Sequence, residues 1–311
     1  MGYNMNHKAV YNSIDYILWY NQITLENIAE VGGKNASLGE MMKELTPFGI
    51  KIPNGFAITS WAYEQFISFN NIRDEIDQRL QAVNYSDINS VKEASKYIRN
   101  IIINSKFPYK YKKAIISAYK FLSNDSGIED VDVAVRSSAN VEDLPLASFA
   151  GQQDTYLNIK GNANLLNAIK LCYASLYTDR AIMYRKEMGY EHVHISMSVG
   201  IQRMVRSDLA CSGVMFTLDP ESGFKKVVLI NASYGLGENI VQGVVNPDEY
   251  YVFKSTLMKG YKPIIQKKLG SKDIKLVYDI DGERLMKGLM LKMSLSPLKI
   301  ETSMSYLTLK Y

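Results

Sequence analysis

Two spacings of apolar residues run through the chain. Val131, Val133 and Val135 alternate with Asp132 and Ala134, and Ile195, Met197, Val199 and Ile201 alternate with His194, Ser196, Ser198 and Gly200. A two-residue period is that of a half-buried strand. Residues 52–59, 212–217, 227–230 and 250–253 predict further short strands, with turns at 219–223 and 246–248. Elsewhere the period is helical. Leu38, Met41, Met42 and Leu45 fall at i, i+3, i+4 and i+7, and Pro47 and Gly49 close that helix. Leu165, Ile169, Cys172 and Leu176 make a second stripe behind a candidate cap at Asn164, and Ser60 is the candidate cap for a helix carrying Ala62, Phe66 and Phe69. Residues 70–130 read as mostly helical, polar scaffold that turns at 124–127. Periodicity alone supports a mixed helix-and-sheet protein.

Composition narrows the class. The 311 residues hold 47% hydrophobic and 22% charged side chains, enough core for two ordinary domains or one two-lobed unit. A net charge of +4 is too small and too evenly spread for a nucleic-acid surface. Cys172 and Cys211 make neither a disulfide framework nor a CxxC metal pair. Cys172 lies on the apolar side of its helix and is expected to be buried. No signal-peptide layout or membrane-length apolar run is present, and Asn6 stands where a myristoylation motif needs Ser or Thr. The expectation is a cytoplasmic protein without nucleic-acid or membrane partners, its oligomeric state open.

The candidate chemistry concerns anions. Arg136, Ser137 and Ser138 are expected directly off the end of the 131–135 strand, where a planar, permanently charged guanidinium suits phosphate oxygens. An acidic turn (Glu142, Asp143, Pro145) follows, then Gly151, where backbone can approach a ligand. Alone, the Arg-Ser-Ser triplet is better read as a polar loop between strands. Gly32-Gly33-Lys34 precedes a helical pattern, and a helix N-terminus favours an anion, though by themselves the glycines are better read as a plain helix-entry turn. No G-x4-G-K-[ST] occurs, so a P-loop fold is disfavoured. The Gly235-Leu236-Gly237-Glu238 bend lacks the third glycine of a dinucleotide fingerprint and reads as a packed turn. Arg180 and Arg185 read as a solvated face or as partners of helix carboxylates.

The uninterrupted string RSSANVEDLPLASFAGQQDTYLN (136–158) closely resembles the signature of the nucleotide-binding N-terminal domain of the phosphoenolpyruvate synthase (pyruvate, water dikinase) family. VGGKNASLGEMMKEL followed by IPNGFAIT resembles the family's opening motif, and TDRAI-x-YR and Q-x-M-V resemble further segments, so the likeness spans roughly 16–278. It implies an α+β, ATP-grasp-like architecture with two lobes holding a nucleotide between them. It also implies an ATP site in which Lys34 and Arg136 hold phosphates, Gly151 gives backbone room, Thr155 contributes a hydroxyl and Gln202 contacts the nucleoside. Mg2+ is expected with the ATP. In such relatives ATP phosphorylates a histidine, and pyruvate then becomes phosphoenolpyruvate.

Residues 279–311 carry no family motif, and the Glu and Gln-x-Arg segments that contact ATP and magnesium in the family are not identifiable. None of His7, His192 and His194 stands in the context of the phosphate-carrying histidine. No catalytic residue and no metal ligand is therefore assigned. The chain is expected to be the ATP-binding portion of the enzyme, 1–278, with a divergent tail, inactive alone and reaching pyruvate only through domains it lacks. Two other readings stand beside it: a rifamycin phosphotransferase-type ATP-binding fragment, and a non-catalytic remnant.

Overall fold

The computed structural model describes residues 16–139, 155–189 and 196–278. These fall into two compact α+β units divided after Met204. The α+β class expected from the sequence is thus found in each unit.

The first unit is built on a five-stranded antiparallel sheet in the order β1 (Ile17–Trp19), β2 (Gly55–Ile58), β5 (Met197–Arg203), β3 (Val133–Ala139) and β4 (Thr155–Ile159). Among the described residues seven α-helices accompany it: α1 (Ile28–Leu45), α2 (Ser60–Phe69), α3 (Arg73–Gln81), α4 (Ile88–Asn104), α5 (Tyr109–Ser126), α6 (Asn162–Ser175) and α7 (Asp179–Glu187). Strand alternation sorts the sheet's side chains. Phe56, Ile58, Val133, Val135, Met197, Val199 and Ile201 enter the large core shared with α2 to α7. Ala57, on the other face, joins a smaller core with Tyr20, Ile23 and α1's Val31 and Ala36. Both faces are therefore covered, and Asp132 and Ala134 are buried too, at 7% exposure against 0–1% for the valines they alternate with. The half-buried strand expected from the spacing is a central strand.

Local chemistry moved several expected boundaries. Thr59, not Ser60, caps α2 by accepting from the Ala62 N–H, while Ser60 donates to the Ala29 carbonyl. Phe69 leaves the apolar stripe and is exposed in the helix's last position. Helix α6 begins at Asn162 behind Gly161, so Asn164 is not its cap, but the Leu165, Ile169, Cys172 and Leu176 stripe is fully buried. Helix α5 runs to Ser126 and ends on Gly127 in the left-handed conformation, so the 124–127 turn is a helix end.

Arg185 contradicts the expected solvated face, unlike the exposed Arg180. It is 1% exposed, donates to the Leu176 carbonyl at 2.5 Å and lies over the Tyr177 ring. It belongs to a tyrosine-rich core in which the Tyr63 and Tyr177 hydroxyls pair at 3.1 Å and those of Tyr111 and Tyr173 at 2.5 Å. Burial raises the pKa of all four and pushes Tyr119 up to about 12. A raised phenol pKa means that the fold favours the neutral form, so this stability is complete below the ordinary phenol pKa of 10.0 and is lost as pH rises through about 12. The denaturation midpoint should therefore fall steeply above pH 10, together with the appearance of tyrosinate absorbance. A midpoint that falls before any tyrosinate forms would contradict this.

The second unit is an antiparallel meander of β6 (Cys211–Phe216), β7 (Val227–Tyr234), β8 (Asp248–Phe253) and β9 (Ile264–Lys268), with short helices α8 (Glu238–Val241) and α9 (Lys254–Met258). Strand β7 extends four residues past the expected 227–230. The Gly-Leu-Gly-Glu bend is a packed turn: Gly235 bridges Leu276, and Leu236 donates to the Leu276 carbonyl at 2.9 Å. Lys272, 3% exposed, is neutralised by Asp248 and donates to the Gly270 carbonyl.

Candidate functional site

The site is assembled on the face of the first sheet that carries α1. Arg136 sits inside β3 rather than off its end, because the strand continues to Ala139. Its partners in register are Thr155 on β4 and Gly200 on β5. Residues paired across strands share a face, as do residues two apart along one strand. Arg136, Ser138, Thr155, Ser198, Gly200 and Gln202 therefore lie on one face. Three of the sequence-assigned residues are brought together by register alone.

Lys34 reaches the same face from α1. Gly32 takes φ 71° and ψ 163°, which breaks the helix and starts a new helical run at Gly33, as the Gly-Gly-Lys pattern predicts. A Cβ at Gly32 would lie 2.5 Å from the Ser138 carbonyl oxygen, so only glycine lets α1 approach β3 this closely. The Lys34 ammonium then lies 3.5 Å from the carbonyl oxygen of Ser137, the residue after Arg136. Both cations are half-buried, and among the described residues no carboxylate forms an ion pair with Arg136. Two positive charges and a strand hydroxyl thus lie on one face, beside the positive end of the second helical run of α1.

Two residues that sequence reasoning passed over hold this arrangement. Asn35, 2% exposed, donates to the Val31 carbonyl at 2.9 Å and to the Ser198 hydroxyl at 3.0 Å, and accepts from the Tyr20 hydroxyl at 3.2 Å. Ser198 in turn donates to the Ile58 carbonyl at 2.6 Å. The network locks α1 to β5 one residue from Lys34. Burial drives the Tyr20 hydroxyl well above the ordinary phenol range, and the positive charge of Arg136 opposes the shift, which puts that guanidinium in electrostatic reach of the network. Gly200 makes room beneath, since a Cβ there would lie 2.6 Å from the Tyr20 hydroxyl. The sequence signal was an Asn directly after Gly-Gly-Lys, readable only with the strand it meets.

Gln202 lies on the same face, in a central strand that ends at Arg203. The side chain is 8% exposed and its amide donates to the Pro53 carbonyl at 3.1 Å. Gly151 lies outside the described residues, as do His7, His192 and His194. Among the described residues no group of three or more His, Cys, Asp or Glu side chains is placed to hold a metal ion, and no helix is long and apolar enough to cross a membrane.

Comparison with known proteins shows the family of the chain. The chain is 54% identical over 269 residues to phosphoenolpyruvate synthase of Aquifex aeolicus (strain VF5), covering 86% of this chain and 31% of that protein. It is 49% identical over 275 residues to the Synechocystis enzyme of the same name, covering 87% and 34%. It is 48% identical over 262 residues to that of Escherichia coli (strain K12), covering 84% and 33%. The chain thus spans about a third of the length of the curated relatives it matches. Residues 28–303 match the family described as pyruvate phosphate dikinase, AMP/ATP-binding domain, a range that extends into the stretch where no motif is legible. The chain belongs to the family of pyruvate phosphate dikinase AMP/ATP-binding domains.

Proposed function

We propose that these residues form the ATP-binding portion of a phosphoenolpyruvate synthase, with an ATP-grasp-like fold. The observation that carries this is the placement of the Lys34 ammonium against the Ser137 carbonyl, one residue from Arg136 and on the strand facing Thr155. Arg136 fixes phosphate oxygens through its planar fork, whereas Lys34 supplies a compact charge that follows them. Thr155, exposed on β4, offers a hydroxyl to the same oxygens. The Gln202 amide already serves the Pro53 carbonyl, so its contribution to the nucleoside would come through its remaining oxygen or by holding the 53–55 backbone in place. Gly151 keeps the role given by the motif it belongs to.

Mg2+ would arrive with ATP, carried mainly by phosphate oxygens, as is usual for an ion that keeps few protein ligands. No residue of the chain is assigned to it. In the reaction of the relatives, the phosphoryl group goes to a histidine and then to pyruvate. Those steps belong to parts corresponding to the other two-thirds of the relatives, so the 311 residues by themselves should bind ATP without consuming pyruvate.

An acyl phosphate derivative of ATP transfers its acyl group to a lysine lying beside the phosphates. It should acylate Lys34 selectively, and excess Mg-ATP should suppress the reaction, as read by peptide mass spectrometry. Labelling spread over surface lysines and indifferent to Mg-ATP would refute the site.

A further inference from the structure

We propose that Asn35 is a positioning residue for the phosphates: its buried amide holds the α1 backbone from which the Lys34 ammonium reaches them. This rests on the ATP reading above and deepens it.

The amide spans the break in α1. Val31 closes the first helical run, Gly32 takes the non-helical conformation, and Asn35 stands in the first turn of the second run. Its Nδ2 donates back to the Val31 carbonyl at 2.9 Å, so one side chain ties the two runs together across the glycine. The same Nδ2 donates to the Ser198 hydroxyl at 3.0 Å, and Oδ1 accepts from the Tyr20 hydroxyl at 3.2 Å. Three anchors from separate parts of the chain thus fix one amide, and at 2% exposure solvent does not compete for them.

The sheet is shaped to receive it. Gly55 and Ala57 on β2 share the α1 face with Gly200 on β5, and all three are small. A Cβ at Gly200 would overlap the Asn35 Oδ1, and one at Gly55 would lie 2.7 Å from the Tyr20 ring. The neighbouring strand offers no such bond. Ser138, the partner of Ser198 in register, is pressed against Gly32, but its buried hydroxyl has no hydrogen-bond partner. Shape therefore holds the break against β3, and hydrogen bonds through Asn35 hold it against β5. A lysine carries its charge on a flexible four-carbon stem, so the reach of the ammonium depends on where the backbone starts it. One residue from Lys34, the Asn35 amide fixes that start.

The test uses the full 311-residue chain and two readouts. In calorimetric titration, Asn35→Ala should weaken Mg-ATP binding about tenfold, the loss of one well-placed charged contact, and leave adenosine affinity unchanged. Tyr20→Phe, which removes one anchor of three, should weaken it by a smaller factor. Gly200→Ala, which crowds the amide without altering it, should reproduce Asn35→Ala. The second readout needs no nucleotide: in competitive acetylation read by peptide mass spectrometry, Lys34 should react faster in Asn35→Ala, relative to the exposed Lys43 of the same helix. Ser95→Ala is the control for stability alone. It deletes a buried 2.7 Å bond to the Tyr177 carbonyl in the core on the other face of the sheet, and it should move neither readout. Should Asn35→Ala fail to fold, Tyr20→Phe decides. If the parent binds Mg-ATP and Asn35→Ala binds it equally well, or Ser95→Ala loses as much, the positioning role is overturned and the ATP reading stands. If the parent binds no Mg-ATP, the ATP reading falls, and the acetylation rate alone decides whether Asn35 places Lys34.

Discussion

Arg136→Ala is expected to weaken Mg-ATP binding by roughly 100-fold, because two charge-assisted hydrogen bonds from one fork are lost together. Arg136→Lys should restore little of this. An ammonium keeps the charge but not the paired geometry, and it would start from a strand position fixed on both sides by Thr155 and Gly200. The loss should appear in affinity and not in stability, since the guanidinium is half-buried and makes no ion pair among the described residues. Calorimetric titration of the three proteins reads the first effect and denaturant unfolding the second. An Arg136→Lys variant that binds like the parent would show that only net charge matters there.

The second large effect concerns stability. Gly32→Ala should cost about 3 kcal/mol or more, combining backbone strain with forced overlap. Its φ of 71° with ψ of 163° is a region essentially closed to residues with a Cβ, and the added carbon would lie 2.5 Å from the Ser138 carbonyl oxygen. Gly49→Ala is the matched control. Gly49 also has positive φ, 82°, but a Cβ there meets nothing within 4 Å, so its cost should be the conformational part alone, about 1–2 kcal/mol. The difference between the two denaturation midpoints measures how tightly α1 is pressed to β3. Equal costs would mean that the helix can move away freely, and the Lys34 placement would lose its structural basis.

What the sequence made legible was the content of the site more than its geometry. The Gly-Gly-Lys break was readable because glycine before an apolar helical stripe has few other uses, and the structure turns it into a helix start against β3. The strand at 131–135 was readable from its valines, but its length was not. Arg136, Ser137 and Ser138 look like a polar loop in one dimension, and only the neighbours β4 and β5 extend the ladder through them. Tyr20 carried no signal and Asn35 only its place after Gly-Gly-Lys, since a hydrogen-bond network joining residues 20, 35 and 198 exists only after the strands pair. Arg185 failed for a related reason: charge predicts exposure, and the tyrosine rings and the Leu176 carbonyl that receive it come from other elements or the preceding turn.

On the proposed reading Lys34 and Arg136, about a hundred residues apart in sequence, serve one triphosphate. The most direct measurement is a double-mutant cycle of Lys34→Ala and Arg136→Ala, titrated with Mg-ATP and with adenosine. Each replacement should lower ATP affinity while leaving adenosine affinity unchanged, and the double replacement should depart from the sum of the two because the residues share a partner. ATP affinity unmoved by Lys34→Ala, or adenosine affinity falling by the same factor as that of ATP, would contradict it.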